Sequence, residues 1–177
     1  TYGDSNWKDK VTAIGGKAIT YDAIGNPLTY DGWTFTWKAG RMLASMVKTG
    51  TNAQFTYDHN GLRIKKVVNG VTTNYTLNGK NVVHMTQGSH DLHFFYDAQG
   101  KPGMVTYNDV DYFYVYNLQG DVVALIDANG TQVVEYGYDA WGNPTSKTGS
   151  LAATIGTLNP FRYRGYVFDE ETGLYYL

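Results

Sequence analysis

A seven-residue phrase written twice with a single change leaves this chain few folds to choose from. Tyr21-Asp22-Ala23-Ile24-Gly25-Asn26-Pro27 returns as Tyr138-Asp139-Ala140-Trp141-Gly142-Asn143-Pro144. Looser copies lie between them: Tyr57-Asp58-His59-Asn60-Gly61, Tyr75-Thr76-Leu77-Asn78-Gly79, Tyr96-Asp97-Ala98-Gln99-Gly100 and Tyr116-Asn117-Leu118-Gln119-Gly120. Trp37-Lys38-Ala39-Gly40-Arg41 is a shortened copy, and Ile126-Asp127-Ala128-Asn129-Gly130 is one without the aromatic. An aspartate or asparagine at a strand end accepts a hydrogen bond from a backbone N–H two residues on. The glycine supplies the positive φ that closes a short hairpin loop, often with a bulge. The tyrosine is a good strand residue with a large apolar body. The phrase is a hairpin turn, repeated.

The motif aromatics recur every 16 to 22 residues, which two strands of about six residues and two turns would fill. Between motif turns lie the opposite turns of a meander. Asn69-Gly70 separates Ile64–Val68 from Val71–Tyr75, and Tyr30-Asp31-Gly32-Trp33 joins two short strands. Further strands are expected at Leu92–Tyr96, Tyr112–Tyr116, Val122–Ile126 and Gln132–Tyr138. No window sustains apolar spacing at helical period, so the fold class is all-β, tandem hairpins in a long twisted antiparallel sheet. Residues 1–177 read as a single repeat region of about eight hairpins. Leu151–Asn159 breaks the rhythm and reads as a loop or one short helical turn. The chain then reads as stopping in mid-strand at Leu174-Tyr175-Tyr176-Leu177, and Thr1-Tyr2-Gly3 reads as the start of an excised piece.

Composition narrows function. A net charge of −2 gives no reason to expect a nucleic-acid or anionic-membrane partner. Zero cysteines remove disulfides and thiol catalysis. On a strand, His90 and His93 point to opposite faces and cannot chelate one metal. His59 and His84 read as exposed polar residues. Asp22, Asp58, Asp97, Asp139 and Asp169 read as turn caps, each turn offering too few oxygens for calcium. Glu170-Glu171 beside Asp169 has no apolar pocket to raise a pKa, so it is a solvated turn rather than an acid pair. Arg162 and Arg164 share one face and would either bind an anion or lie over tyrosine rings. Tyr112, Tyr114 and Tyr116 share a face, and with Phe161, Tyr163, Tyr166, Tyr175 and Tyr176 they would either pack a core or stack sugars. No catalytic, cofactor-binding or metal-ligating residue is assigned, and no cofactor is expected.

The segment Asn159-Pro160-Phe161-Arg162-Tyr163-Arg164-Gly165, followed by Asp169-Glu170-Glu171-Thr172-Gly173-Leu174-Tyr175-Tyr176, closely resembles the end of the core in RHS-repeat (YD-repeat) proteins. The upstream Tyr-Asp copies match that family's repeat. The resemblance implies a section of a spiral β-shell and a non-catalytic, structural role: encapsulating or scaffolding a C-terminal toxin or effector polypeptide. It also implies a secreted or cell-surface bacterial protein. The family's self-cleavage site lies past the Gly-Leu-Tyr-Tyr motif, so no catalytic position carries over. The alternative is a carbohydrate-binding or adhesive module with glycans as partners. Membrane insertion is not expected. Self-association is expected through exposed strand edges, above all at Leu174–Leu177.

Overall fold

The computed structural model describes all 177 residues, Thr1–Leu177. Fifteen of its strands join in strict chain order, β1 next to β2 through to β15, in one sheet. The chain divides into two compact units, Thr1–Thr73 and Asn74–Leu177. The first holds β1 (Ala13–Ile14), β2 (Lys17–Tyr21), β3 (Pro27–Tyr30), β4 (Trp33–Lys38), β5 (Met42–Lys48), β6 (Thr51–Tyr57) and β7 (Arg63–Val68). The division falls inside β8 (Val71–Asn78). The second unit continues with β9 (Asn81–Gln87), β10 (His90–Tyr96), β11 (Pro102–Tyr107) and β12 (Val110–Tyr116). It then adds β13 (Val122–Ile126), β14 (Gln132–Tyr138) and β15 (Pro144–Thr148). A helical turn α1 (Ile155–Leu158) and a separate hairpin, β16 (Val167–Asp169) with β17 (Leu174–Tyr176), complete it. The all-β, hairpin-by-hairpin sheet expected from the repeat is the fold observed. None of its helices is long and apolar enough to cross a membrane.

Local sequence explains the pairing. Asn69 and Gly70 both take positive φ (51° and 86°), the conformation a two-residue hairpin loop needs to match strand twist. Alternation then sorts the faces: in β10, Leu92 and Phe94 are buried while His93 and Phe95 are exposed. The register shifts at nearly every motif aromatic, between Thr20 and Tyr21, Thr36 and Trp37, Thr56 and Tyr57, Phe95 and Tyr96, Val115 and Tyr116, and Gly137 and Tyr138. A bulge at the strand end is therefore part of the motif.

Each unit has its own core. In the first, Met46, Ala53, Phe55 and Val68 are buried, with Trp33, Phe35, Leu43 and Tyr57 packed around them. The second buries a longer row that includes Leu92, Phe94, Val105, Tyr114, Leu125, Val134 and Tyr136, closed over by Ile155 and Phe161. A side chain such as Leu92, fully removed from water, contributes about 2 kcal/mol.

Three expectations are corrected. The Tyr75 copy is not a motif turn: β8 continues to Asn78, the loop shrinks to Gly79-Lys80, and Tyr75 is buried in mid-strand. With no aspartate or asparagine directly after its tyrosine, that copy lacks the cap that would widen the loop. Leu174–Leu177 is not the last strand of the sheet, because β17 pairs back on β16 and the sheet ends at β15. That edge carries Pro144 and Lys147, both of which discourage strand addition. Finally, Arg162 and Arg164 do not share a face, since Arg162 is buried and Arg164 exposed.

Candidate functional site: turn latches and a folded-back terminus

The turns repeat one geometry atom for atom. Asp22 Oδ1 accepts the N–H groups of Ile24 and Asn26 at 3.0 and 2.8 Å. Asp58 does so with Asn60 and Leu62, Asp97 with Gln99 and Lys101, and Asp139 with Trp141 and Asn143. Asn117 substitutes its amide oxygen toward Gln119 and Asp121. The backbone N–H of Leu62 and then that of Asn60 hold the Asp58 carboxyl below the usual carboxylate range. At Asp139 the side-chain amide of Asn143 leads, donating to Oδ2 at 2.7 Å. That contact, matched by Asn26 on Asp22, accounts for the asparagine in both full copies of the phrase.

The tyrosine that opens each phrase is more than apolar bulk. Tyr57 donates its hydroxyl to the Leu43 carbonyl at 2.9 Å, Tyr96 to Val82 at 2.7 Å and Tyr138 to Val122 at 2.7 Å. Tyr116 reaches Pro102 in the same way, and Tyr21 reaches Val11 at 2.6 Å. Trp37 makes the equivalent bond with its indole N–H, to Pro27 at 2.7 Å. Each therefore latches the end of its own strand to a carbonyl 10 to 16 residues earlier in the chain. Burial pushes the Tyr96 hydroxyl up to about 12 and raises those of Tyr116 and Tyr138 as well. Sequence reading missed this role. The signal was available: Tyr21, Trp37, Tyr57, Tyr96, Tyr116 and Tyr138 all carry a donor at the ring tip, and none of the chain's 7 phenylalanines stands there.

The segment after β15 folds back over the aromatic face of the second unit. Ile155 and Phe161 enter the core, with the Phe161 ring edge-on to Phe94 at 5.1 Å and to Tyr114 at 6.2 Å. Asn159, 1% exposed, accepts the Tyr114 hydroxyl at 2.7 Å and donates to the Phe161 carbonyl. Arg162, 2% exposed, donates to the carbonyls of Asn159, Phe161 and Gly156. Its guanidinium lies 4.1 Å from the Tyr136 ring centre and 3.7 Å from the Glu170 carboxylate. A buried guanidinium with its donors matched to carbonyls and a carboxylate holds several crossing backbones together. Two motif turns receive the segment: Asp121 accepts the Arg164 N–H at 2.9 Å, and Tyr175 donates to the Gly142 carbonyl at 2.9 Å. Gly142 sits at φ +89° with Tyr163 where a Cβ would go, 2.5 Å away. Only glycine fits there.

The arrangement of chained Tyr-Asp turns ending in this buried Pro-Phe-Arg segment has a counterpart among known proteins. The sequence matches the family described as Teneurin YD-shell over residues 4–177. The chain belongs to the YD-shell family. It is 39% identical over 179 aligned positions to the tRNA nuclease WapA of Bacillus subtilis strain 168, covering 97% of this chain and 8% of that protein. The tRNA3(Ser)-specific nuclease WapA of Bacillus spizizenii matches at the same identity and coverage. Among solved structures, the Photorhabdus luminescens Tc holotoxin pore superposes with a TM-score of 0.65 at 18% identity, over 88% of this chain and 8% of that one. The TcdB2–TccC3 crystal structure gives 0.64 at 17%, over 88% and 9%. This YD-shell chain thus spans less than a tenth of the length of each of these relatives.

Within the YD-shell wall most of the other singled-out residues lie apart from one another, with His84 and His93 the exception. His90 contacts the Tyr107 hydroxyl at 2.8 Å on one face while His93 lies on the other, opposite His84. The capping aspartates Asp22, Asp58, Asp97 and Asp139 each serve a separate turn. Asp169 is buried, and its backbone carbonyl receives Thr172 and Gly173. Glu170 is engaged by Lys147 as well as Arg162. Tyr112 and Tyr114 are buried, so this part of the ladder is core and not a sugar platform.

Proposed function

We propose that this chain is a non-catalytic wall segment of a β-shell that encloses a C-terminal toxin or effector in a longer, secreted or cell-surface polypeptide. What carries the reading is the family match over residues 4–177 in a chain that spans only 8% of relatives named as nucleases. A piece of that size supplies wall, and the named nuclease activity belongs to another part of those polypeptides. The chemistry agrees. The turn carboxylates are occupied by backbone N–H groups and the motif tyrosines by carbonyls. The interior arginine is tied to the terminus, so these groups serve architecture.

The test uses the longer polypeptide that carries this segment with its own downstream sequence. A protease site inserted into the downstream domain resists cleavage while the shell is folded and becomes sensitive when the shell is opened by Arg162→Leu. Equal cleavage in both proteins overturns enclosure. The isolated 177-residue chain leaves tRNA intact over prolonged incubation, and a discrete pattern of tRNA fragments from it overturns the non-catalytic assignment.

A further inference from the structure

We infer that His84, Asp91 and His93 form a binding site for a late first-row divalent cation of the Zn²⁺ class, on the face of β9 and β10 turned away from the core. The cross-strand register creates it. His93 lies directly opposite His84, and Leu92 lies opposite Met85. Since Leu92 and Met85 are both buried, the two histidines share the outward face. Asp91 precedes His93 by two positions and so projects to the same side.

The donor atoms already converge. His84 Nε2 is 3.2 Å from both carboxylate oxygens of Asp91, and His93 Nε2 is 2.9 Å from Oδ1. All the donor atoms lie within 4.8 Å of one another. Nitrogen and oxygen ligands held about 2.0–2.2 Å from one cation in a tetrahedron sit roughly 3.3–3.6 Å apart. The His84–Asp91 spacing is therefore already close to that of neighbouring ligands, and the His93–Asp91 contact has only a few tenths of an ångström to open. The imidazole rings are stacked, with centres 4.3 Å apart and planes 15° from parallel. Chelation needs only that they tilt until both nitrogen lone pairs meet beside the carboxylate. Side-chain exposures of 29%, 48% and 52% leave room for that rotation.

Two imidazoles and one carboxylate select Zn²⁺, Ni²⁺ or Cu²⁺ over calcium or magnesium, which favour oxygen-only shells. Three protein donors leave at least one position open to solvent. Water, or a donor from another molecule, completes the shell. The site is independent of enclosure: it lies on the opposite face from the aromatic core and stands whatever that face contains.

Calorimetric titration of ZnCl₂ into the untagged, metal-free chain tests it, with any histidine tag removed. One ion binds per chain in the micromolar range. His84→Gln and His93→Gln each weaken binding at least about tenfold, as does Asp91→Asn, while His59→Gln leaves it unchanged. In the wild-type chain, Zn²⁺ moves the imidazole proton resonances of His84 and His93 and not that of His59. This arm needs no variant to fold. Absence of binding up to millimolar Zn²⁺, equal binding by the His84→Gln/His93→Gln double variant, or shifts confined to other histidines overturns the site.

Discussion

Thr1–Thr73 and Asn74–Leu177 use the same turns and differ in what covers their aromatic faces. In the first unit, cationic side chains do much of the covering: Lys38 lies 5.4 Å over Tyr57, Lys48 5.7 Å over Trp33 and Arg63 5.4 Å over Phe55. In the second, residues 149–177 fold back as a second layer, and the row of buried apolar residues grows from four to fifteen. The turn code therefore builds a sheet without deciding whether its face becomes a core. That depends on a covering segment, which here lies outside the repeat. A lysine stem over a ring shields it while its ammonium stays wet. Both units bury a guanidinium, Arg63 in the first and Arg162 in the second. In the second it is the covering segment that supplies the carbonyls of Asn159 and Phe161 and the Glu170 carboxylate around it.

The largest effect that would sharpen this contrast is alkaline unfolding of the second unit. Burial raises the hydroxyls of Tyr96, Tyr114, Tyr116, Tyr136 and Tyr138 above the value of 10 from which they start. Between pH 10 and the raised folded values, the unfolded chain loses these protons and the folded chain keeps them, so stability falls as pH rises. It is fully present below pH 10. Hydrogen exchange of the core strands β10, β12 and β14, followed from pH 8 to 12 with correction for intrinsic rates, shows protection collapsing over that window. Constant protection to pH 12 breaks the expectation. Next in size, Arg162→Leu strands the buried carbonyls of Gly156, Asn159 and Phe161, while Glu170 keeps Lys147, and costs the second unit about 3 kcal/mol. Urea denaturation read by exchange within each unit should show the loss in Asn74–Leu177, with Thr1–Thr73 within about 0.5 kcal/mol of wild type. Equal loss in both units would erase the distinction.

Two smaller effects probe the shared turn itself. Gly142→Ala meets both a positive φ and the Tyr163 ring, whereas Gly120→Ala, at φ +90°, meets open space. Gly120→Ala should cost about 1 kcal/mol from backbone strain alone, and Gly142→Ala at least about 1 kcal/mol more. Equal thermal midpoints for the two variants would mean that the terminus does not dock on that turn. Smallest are the latches. Tyr57→Phe in the first unit and Tyr138→Phe in the second each remove one hydroxyl–carbonyl bond and should cost about 1 kcal/mol. Similar values are expected because the latch is the same device in both. A neutral Tyr57→Phe beside a costly Tyr138→Phe would confine it to the covered unit.

The sheet was legible because its information is local. Tyr-Asp-x-x-Gly, Asn69-Gly70 and the alternation of Leu92, Phe94 and Tyr96 each settle a turn or a face within a few residues. The misreadings arose where partners lie far apart in the chain. Nothing near Arg162 announces that Tyr136 and Gly156 will surround it, and a buried cation looks like an exposed one until its partners assemble. Likewise Tyr75-Thr76-Leu77-Asn78-Gly79 keeps the outline of the motif but lacks the acceptor after the tyrosine, so chemistry overrode pattern. His84 and His93 were both in view, but their meeting depends on a cross-strand register that neither strand encodes alone.

The latches also give the molecule a direction. Every motif hydroxyl reaches a carbonyl that precedes it, at separations of 10 to 16 residues, and none of these bonds waits on later sequence. A chain threaded N-terminus first out of a narrow exit can therefore fasten each strand as soon as its tyrosine emerges, with the acceptor already outside. Assembly advances like a ratchet, one tooth per repeat, with only neighbouring strands coupled at any step. Residues 149–177, emerging after the strands they cover, then close over a sheet that is already in register.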